Sequence, residues 1–212
     1  MAIPAAQPGD ICVIVEPSVR DLPRLRRLQQ KLQKRYGGRL QTRIHFTCQR
    51  FTPPENGGVK RLIADLRRHL NPLAPIPVTA SSLEWAEHPF WQCNVLRWDL
   101  TLSDELLRFG QQLEDTLLQA GAELHYPRGD GWRPHVSALE RMPYGPMVPA
   151  SAPAFEYLYT ADRVVLSQVQ PGKRFEILDT IYLMALQVQP AYARIPVAQP
   201  ARQQRAQVAV PA

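Results

Sequence analysis

The sequence contains no long apolar run, no paired cysteines and, over residues 190–212, no acidic side chain. No window approaches the ~18 apolar residues of a membrane span, so no membrane association is expected. Cys12, Cys48 and Cys93 are widely spaced and odd in number. Without a Cys-x-x-Cys or His-x-His pair, neither a disulfide framework nor a zinc site with three or four close ligands is expected. The segment Met1-Ala2-Ile3-Pro4-Ala5-Ala6 lacks the basic and apolar regions of a secretory signal. Together these absences predict a reducing, cytoplasmic setting.

What is abundant is proline and, in places, positive charge. Proline supplies 21 of 212 residues, against a usual share of about 5%. There are 25 Lys and Arg against 19 Asp and Glu, a formal net charge of +6. The charge is uneven. Residues 1–75 carry 14 basic and 5 acidic side chains, residues 76–189 carry 8 and 14, and residues 190–212 carry 3 Arg alone. Such asymmetry fits an anionic partner and fits a solvated helix face equally well.

The prolines punctuate the chain and leave room for regular structure between them. Residues 1–9 read as a short N-terminal extension, 10–189 as one bilobal domain, and 190–212 as a flexible Pro/Ala/Gln/Arg tail. Ile11–Val15 is a short buried strand. Asp21 is placed to cap a helix reaching Tyr36, with Leu22, Leu25, Leu28, Leu32 and Tyr36 on its apolar face and Gly37-Gly38 as its stop. Residues 39–51 alternate apolar and polar, a strand of period two. Helices are predicted near 58–70 and from Ser103 to about Ala120, and strands near 78–85, 92–102, 133–139, 154–159, 162–169 and 174–188. This mixture lacks a regular βαβ rhythm, so the fold class is α+β.

Two stretches share a pattern. Arg43-Ile44-His45-Phe46-Thr47-Cys48 and Arg133-Pro134-His135-Val136-Ser137-Ala138 both read Arg-x-His-x-hydroxyl. In a strand, residues two apart face the same way, so each stretch sets an imidazole beside a hydroxyl with a cation near. A phosphodiester reaction needs one group to take a proton from the attacking oxygen and one to give a proton to the leaving oxygen. Imidazole, with an ordinary pKa of ~6.5, does either near neutrality. Hydroxyls can donate to the nonbridging oxygens, where charge gathers. An arginine fork suits phosphate.

On these two motifs the chain resembles the two-histidine (2H) phosphoesterase superfamily, which includes bacterial 2'-5' RNA ligases and RNA 2',3'-cyclic phosphodiesterases. The resemblance covers about residues 10–188. It implies two pseudo-twofold-related lobes whose antiparallel sheets line a central cleft, each lobe contributing one motif. It also implies hydrolysis of a 2',3'-cyclic phosphate on RNA or nucleotide ends to a 2'-phosphomonoester, with reverse 2'-5' ligation in vitro. His45 and His135 would be the acid–base pair and Thr47 and Ser137 the phosphate donors. No metal and no cofactor is implied, and a monomer is expected. The sequence departs from the family pattern in placing Cys48 and Ala138 where leucine is common, and Ser137 where threonine is.

Arg43 and Arg133 are candidate phosphate contacts, with a solvated rim as the alternative. Tyr126 and Trp132, flanking a glycine-containing loop, are candidates for stacking on a base, with loop packing as the alternative. His125, His69 and His88 lack the hydroxyl two residues on. The partners implied are RNA ends or small cyclic nucleotides. ADP-ribose cyclic phosphate is a second substrate candidate, and a non-catalytic RNA- or nucleotide-binding module is the rival reading. The helix 21–36 and the His45 lobe form the basic half of the molecule on this reading.

Overall fold

The computed structural model describes residues 6–54, 58–88, 93–126, 132–141, 150, 156–172 and 174–184. The C-terminal tail lies outside these. In chain order the elements are β1 (Ile11–Pro17), α1 (Leu22–Tyr36), β2 (Arg39–Leu40), β3 (Phe46–Thr52), α2 (Val59–Leu70) and β4 (Ile76–His88). They continue with β5 (Cys93–Leu100), α3 (Asp104–Gln119), β6 (Glu123–Leu124), β7 (His135–Arg141), β8 (Glu156–Gln170) and β9 (Arg174–Tyr182).

All pairings between described strands are antiparallel. The strands form one sheet in the order β2-β7-β5-β4-β8-β1-β3-β6, with β9 added to β8. The order reads alike from both ends. The half β1-α1-β2-β3-α2-β4 is repeated by β5-α3-β6-β7-β8, with α2 lacking a counterpart among the described residues and with β3 and β7 each second from an end. The two short strands are exchanged: β2 of the first half pairs β7, and β6 of the second pairs β3. The expected pseudo-twofold α+β arrangement is present, built as one sheet with two equivalent halves.

The three helices among the described residues pack against one face of this sheet. Leu25 of α1, Leu62, Leu66 and Leu70 of α2, and Leu106, Leu113 and Leu117 of α3 share a core with Val13, Phe46, Leu96, Trp98 and Val136. Each fully buried leucine contributes about 1.5–3 kcal/mol. Ser103 caps α3, its hydroxyl accepting from the Leu106 N–H at 3.3 Å. The other face carries a smaller apolar cluster of Cys12, Ile14, Val165 and Val169.

Four sequence expectations need correction. Asp21 occupies the N-cap position of α1 but its side chain makes no capping bond; its carboxylate accepts from the Thr160 N–H at 2.8 Å and so ties the helix start to β8. The strand expected over 39–51 is two strands. Residues 41–45 leave the sheet because the chain changes partner there, from β7 at Leu40 to β1 at Phe46. The strands expected near 154–159 and 162–169 are one strand, β8, which pairs β4 along its first part and then β9, with β1 on the other side. Helix α1 does not belong to the His45 side: it packs on β7, which carries His135.

Candidate active site

The side chains that alternate with the core residues point to the face away from the helices. Ile44, Phe46 and Cys48 are core residues, as are Val136 and Ala138. His45 and Thr47 therefore lie on the open face, as do His135 and Ser137. Register supports this placement. Thr47 is opposite Ile14 of the open-face cluster. His135 is opposite Asp99, and Ser137 is opposite Arg97. Although β3 and β7 sit near opposite ends of the strand order, they approach each other with Cα atoms within 8 Å. The sheet thus bends so that the two motif strands come together. The exchanged strands complete the join: the Gln41 N–H donates to Ala138 O at 3.2 Å, and the His125 N–H to Arg50 O at 2.8 Å.

Both imidazoles are anchored alike. Nδ1 of His45 lies 3.2 Å from the Arg43 carbonyl oxygen, and Nδ1 of His135 lies 3.2 Å from the Arg133 carbonyl oxygen. A carbonyl only accepts, so Nδ1 carries the proton in each ring. The neutral form then has its basic lone pair on Nε2.

The surroundings of the two histidines differ. Near His45, the half-exposed Arg43 guanidinium is bonded to Glu16. Arg163 joins the same carboxylate at 3.5 Å. Burial lowers the basicity of His45, and the Arg43 charge adds to this; the Arg43 carbonyl and the Glu16 carboxylate oppose it. Near His135, Arg97 pairs with Glu84 at 2.8 Å and Asp99 at 3.0 Å. Burial, then the hydrogen bond with Glu84, raises the Asp99 carboxyl, while that same bond lowers Glu84. Asp99 is therefore the first of the two carboxylates to take a proton as pH falls.

Arg43 is thus committed to an ion pair, and Arg133 is exposed. Tyr126 is half-buried, with the Arg50 guanidinium over its ring at 5.2 Å. Trp132 packs against the main core. Sequence reasoning passed over Glu16, Arg163, Glu84, Arg97 and Asp99. Their signal was present only in part: Arg97 and Asp99 occupy the polar positions of an alternating strand, between Leu96, Trp98 and Leu100.

No protein-family model matches the chain, and no curated protein matches its sequence. Solved structures do match. Escherichia coli LigT in its apo form is 15% identical, with a TM-score of 0.56 over 84% of this chain and 99% of LigT. A protein of Thermus thermophilus is 16% identical, with a TM-score of 0.56 over 82% of this chain and 97% of its own. A structure described as a phosphoesterase is 15% identical, with a TM-score of 0.55 over 84% and 99%. The chain has the LigT-type fold. LigT itself has been crystallised with 3'-AMP. Among the described residues of this LigT-type chain, no group of three or more His, Cys, Asp or Glu is placed to hold a metal ion, and no helix is long and apolar enough to cross a membrane.

Proposed function

We propose that this chain is a 2H phosphoesterase that opens a 2',3'-cyclic phosphate, on an RNA or nucleotide end, to a 2'-phosphomonoester without a metal. One observation carries the reading: in a LigT-type fold His135 and Ser137 on β7 and Thr47 on β3, with His45 just before that strand, belong to segments that approach each other, each imidazole fixed through Nδ1 to the carbonyl two residues before it. The complex of LigT with 3'-AMP supports a nucleotide as the class of ligand.

In this mechanism the phosphate sits between the two Nε2 atoms. Burial keeps His45 neutral at pH 7, the state in which Nε2 can take a proton from the attacking water. His135 acts as an imidazolium, its Nδ1–H kept on the Arg133 carbonyl, and gives its Nε2 proton to the departing ribose 3'-oxygen, so the P–O3' bond breaks as the new P–O bond forms. Thr47 and Ser137 donate to the nonbridging oxygens, whose charge grows in the transition state. Arg43, held by Glu16, shapes the field around His45; Arg133 lies two residues before His135, and Tyr126, bonded through its backbone to the Gln49 side chain of β3, lies on the side of the first motif.

The test is turnover of a 2',3'-cyclic nucleotide in EDTA, with ADP-ribose cyclic phosphate and a cyclic-phosphate-ended oligoribonucleotide beside it. Expected are a 2'-phosphate product, a bell-shaped pH profile, and losses of at least ~10²-fold in His45→Ala and His135→Ala. Micromolar RNA binding with no turnover of any cyclic phosphate would make the protein a binding module instead.

A further inference from the structure

One buried side chain is out of keeping with its surroundings. Leu22, Leu25, Leu32 and Tyr36 of α1 follow a heptad-like stripe whose middle position is Gln29. Gln29 is fully buried, 0% exposed. An amide in an apolar stripe costs free energy unless it is hydrogen-bonded, and leucine would serve the core at least as well.

The partners of Gln29 connect the two motifs. Its Nε2 donates to Ala138 O at 3.1 Å, three residues past His135. The same nitrogen reaches Gln41 O at 3.4 Å, four residues before His45. Its Oε1 accepts from Arg26 at 2.9 Å. Arg26 in turn donates to Gln41 O at 2.5 Å and also bonds Thr42 O. Residues 41–45 have no strand pairing of their own, so these bonds hold the segment that delivers His45.

We propose that Gln29, with Arg26, is a positioning residue that sets the place of His45 relative to His135. This rests on the two-histidine reading above. The buried amide fastens the segment before one histidine and the strand after the other to a single rigid helix. Ala138 fits the same arrangement, its small side chain allowing α1 close to β7.

The key variant is Gln29→Met, which keeps the volume and removes the polar atoms. Each carbonyl retains another donor, Gln41 N–H for Ala138 O and Arg26 for Gln41 O, so the variant should fold. Arg26→Met, changing a partly exposed residue of the same clamp, is the second variant. Two readouts are needed. In turnover of a 2',3'-cyclic nucleotide, kcat should fall ~10- to 10²-fold with KM changed less than ~3-fold, as small displacements of catalytic groups do. Independently of turnover, inorganic phosphate titrated into the wild type should shift the imidazole C–H resonances of His45 and His135 with one common midpoint. In the variants the two resonances should no longer share one midpoint. A folded Gln29→Met protein with wild-type kcat and a wild-type phosphate titration would overturn the proposal. So would a wild type in which phosphate shifts neither ring. If the wild type turns over no cyclic phosphate but the joint titration is lost in the variants, the enzyme reading fails and the positioning role stands.

Discussion

The Nδ1 atom of His45 lies 3.2 Å from the carbonyl oxygen of Arg43, the residue two before it, and His135 stands in the same relation to Arg133. The two halves of the molecule share no long stretch of sequence, yet they orient their imidazoles by the same local bond. That bond decides the tautomer. Long-range 15N–1H spectra of the neutral protein should show the Nδ1–H form for both rings. A neutral ring in the Nε2–H tautomer at either position would refute the arrangement, since the lone pair would then point to the backbone rather than to a phosphate.

His45 should titrate below the ordinary histidine value of ~6.5, because burial disfavours its charged form. Below that pH the unfolded chain binds a proton that the native state refuses. The contribution of this site to stability therefore falls as pH drops through ~6.5, and is unchanged above it. The Glu16 carboxylate works in the opposite sense, favouring the imidazolium. Glu16→Gln should lower the His45 titration further, as read from its Cε1–H resonance. An upward movement would show that release of Arg43 outweighs loss of the carboxylate.

Thr47→Val and Ser137→Ala remove a hydroxyl while leaving the strands intact. Each should lower kcat/KM by ~10- to 10²-fold, the loss of one hydrogen bond to a charged oxygen, about 1.5–3 kcal/mol. Thr47→Ser should retain most of the activity. Equal activity in Thr47→Val and the wild type would remove Thr47 from the reaction.

A buried ion pair joins β3, beyond the first motif, to the residue before β1. Arg50 and Asp10, each with a side chain 5% exposed, are 3.6 Å apart. Asp10 also accepts from Thr52 at 3.2 Å. Asp10→Ala leaves the guanidinium buried and without its carboxylate, so a loss of about 3–5 kcal/mol is expected in urea unfolding. A loss under about 1 kcal/mol would mean that Tyr126, stacked with Arg50, suffices to hold it. Cys12, near this pair, is pushed up to about 11 by burial. It should resist thiol reagents at pH 8 until the protein unfolds.

Gly38 follows α1 with φ +94°, and a Cβ there would meet Glu140 O at 2.7 Å. Gly38→Ala should destabilise the fold by about 1–3 kcal/mol through the combined strain and clash. A thermal midpoint equal to wild type would show that β2 can move away from β7 freely.

Much of this was legible along the chain. The α+β class, the three helices with their apolar stripes, and the repeated Arg-x-His-x-hydroxyl pattern are local facts. They rest on periodicities of 3.6 and 2 and on residue types that do proton transfer near neutrality. The pattern reached as far as the expected fold, which the LigT-type likeness confirms. It did not reach the ends of the strand over 39–51, since that strand is broken by a change of partner, and no residue between Leu40 and Phe46 announces it.

The sequence by itself determined which side chains alternate with the core, and so which histidines and hydroxyls stand together on an open face. Only the tertiary structure decided what lies beside them. Helix α1, counted by charge with the His45 half, packs on the strand of His135. Glu16 holds Arg43, and Gln29 joins two segments 97 positions apart, Gln41 and Ala138. The physical reason is strand exchange: β2 and β6 each pair with the other half's motif strand, and contacts across such an exchange leave no periodicity in a sequence.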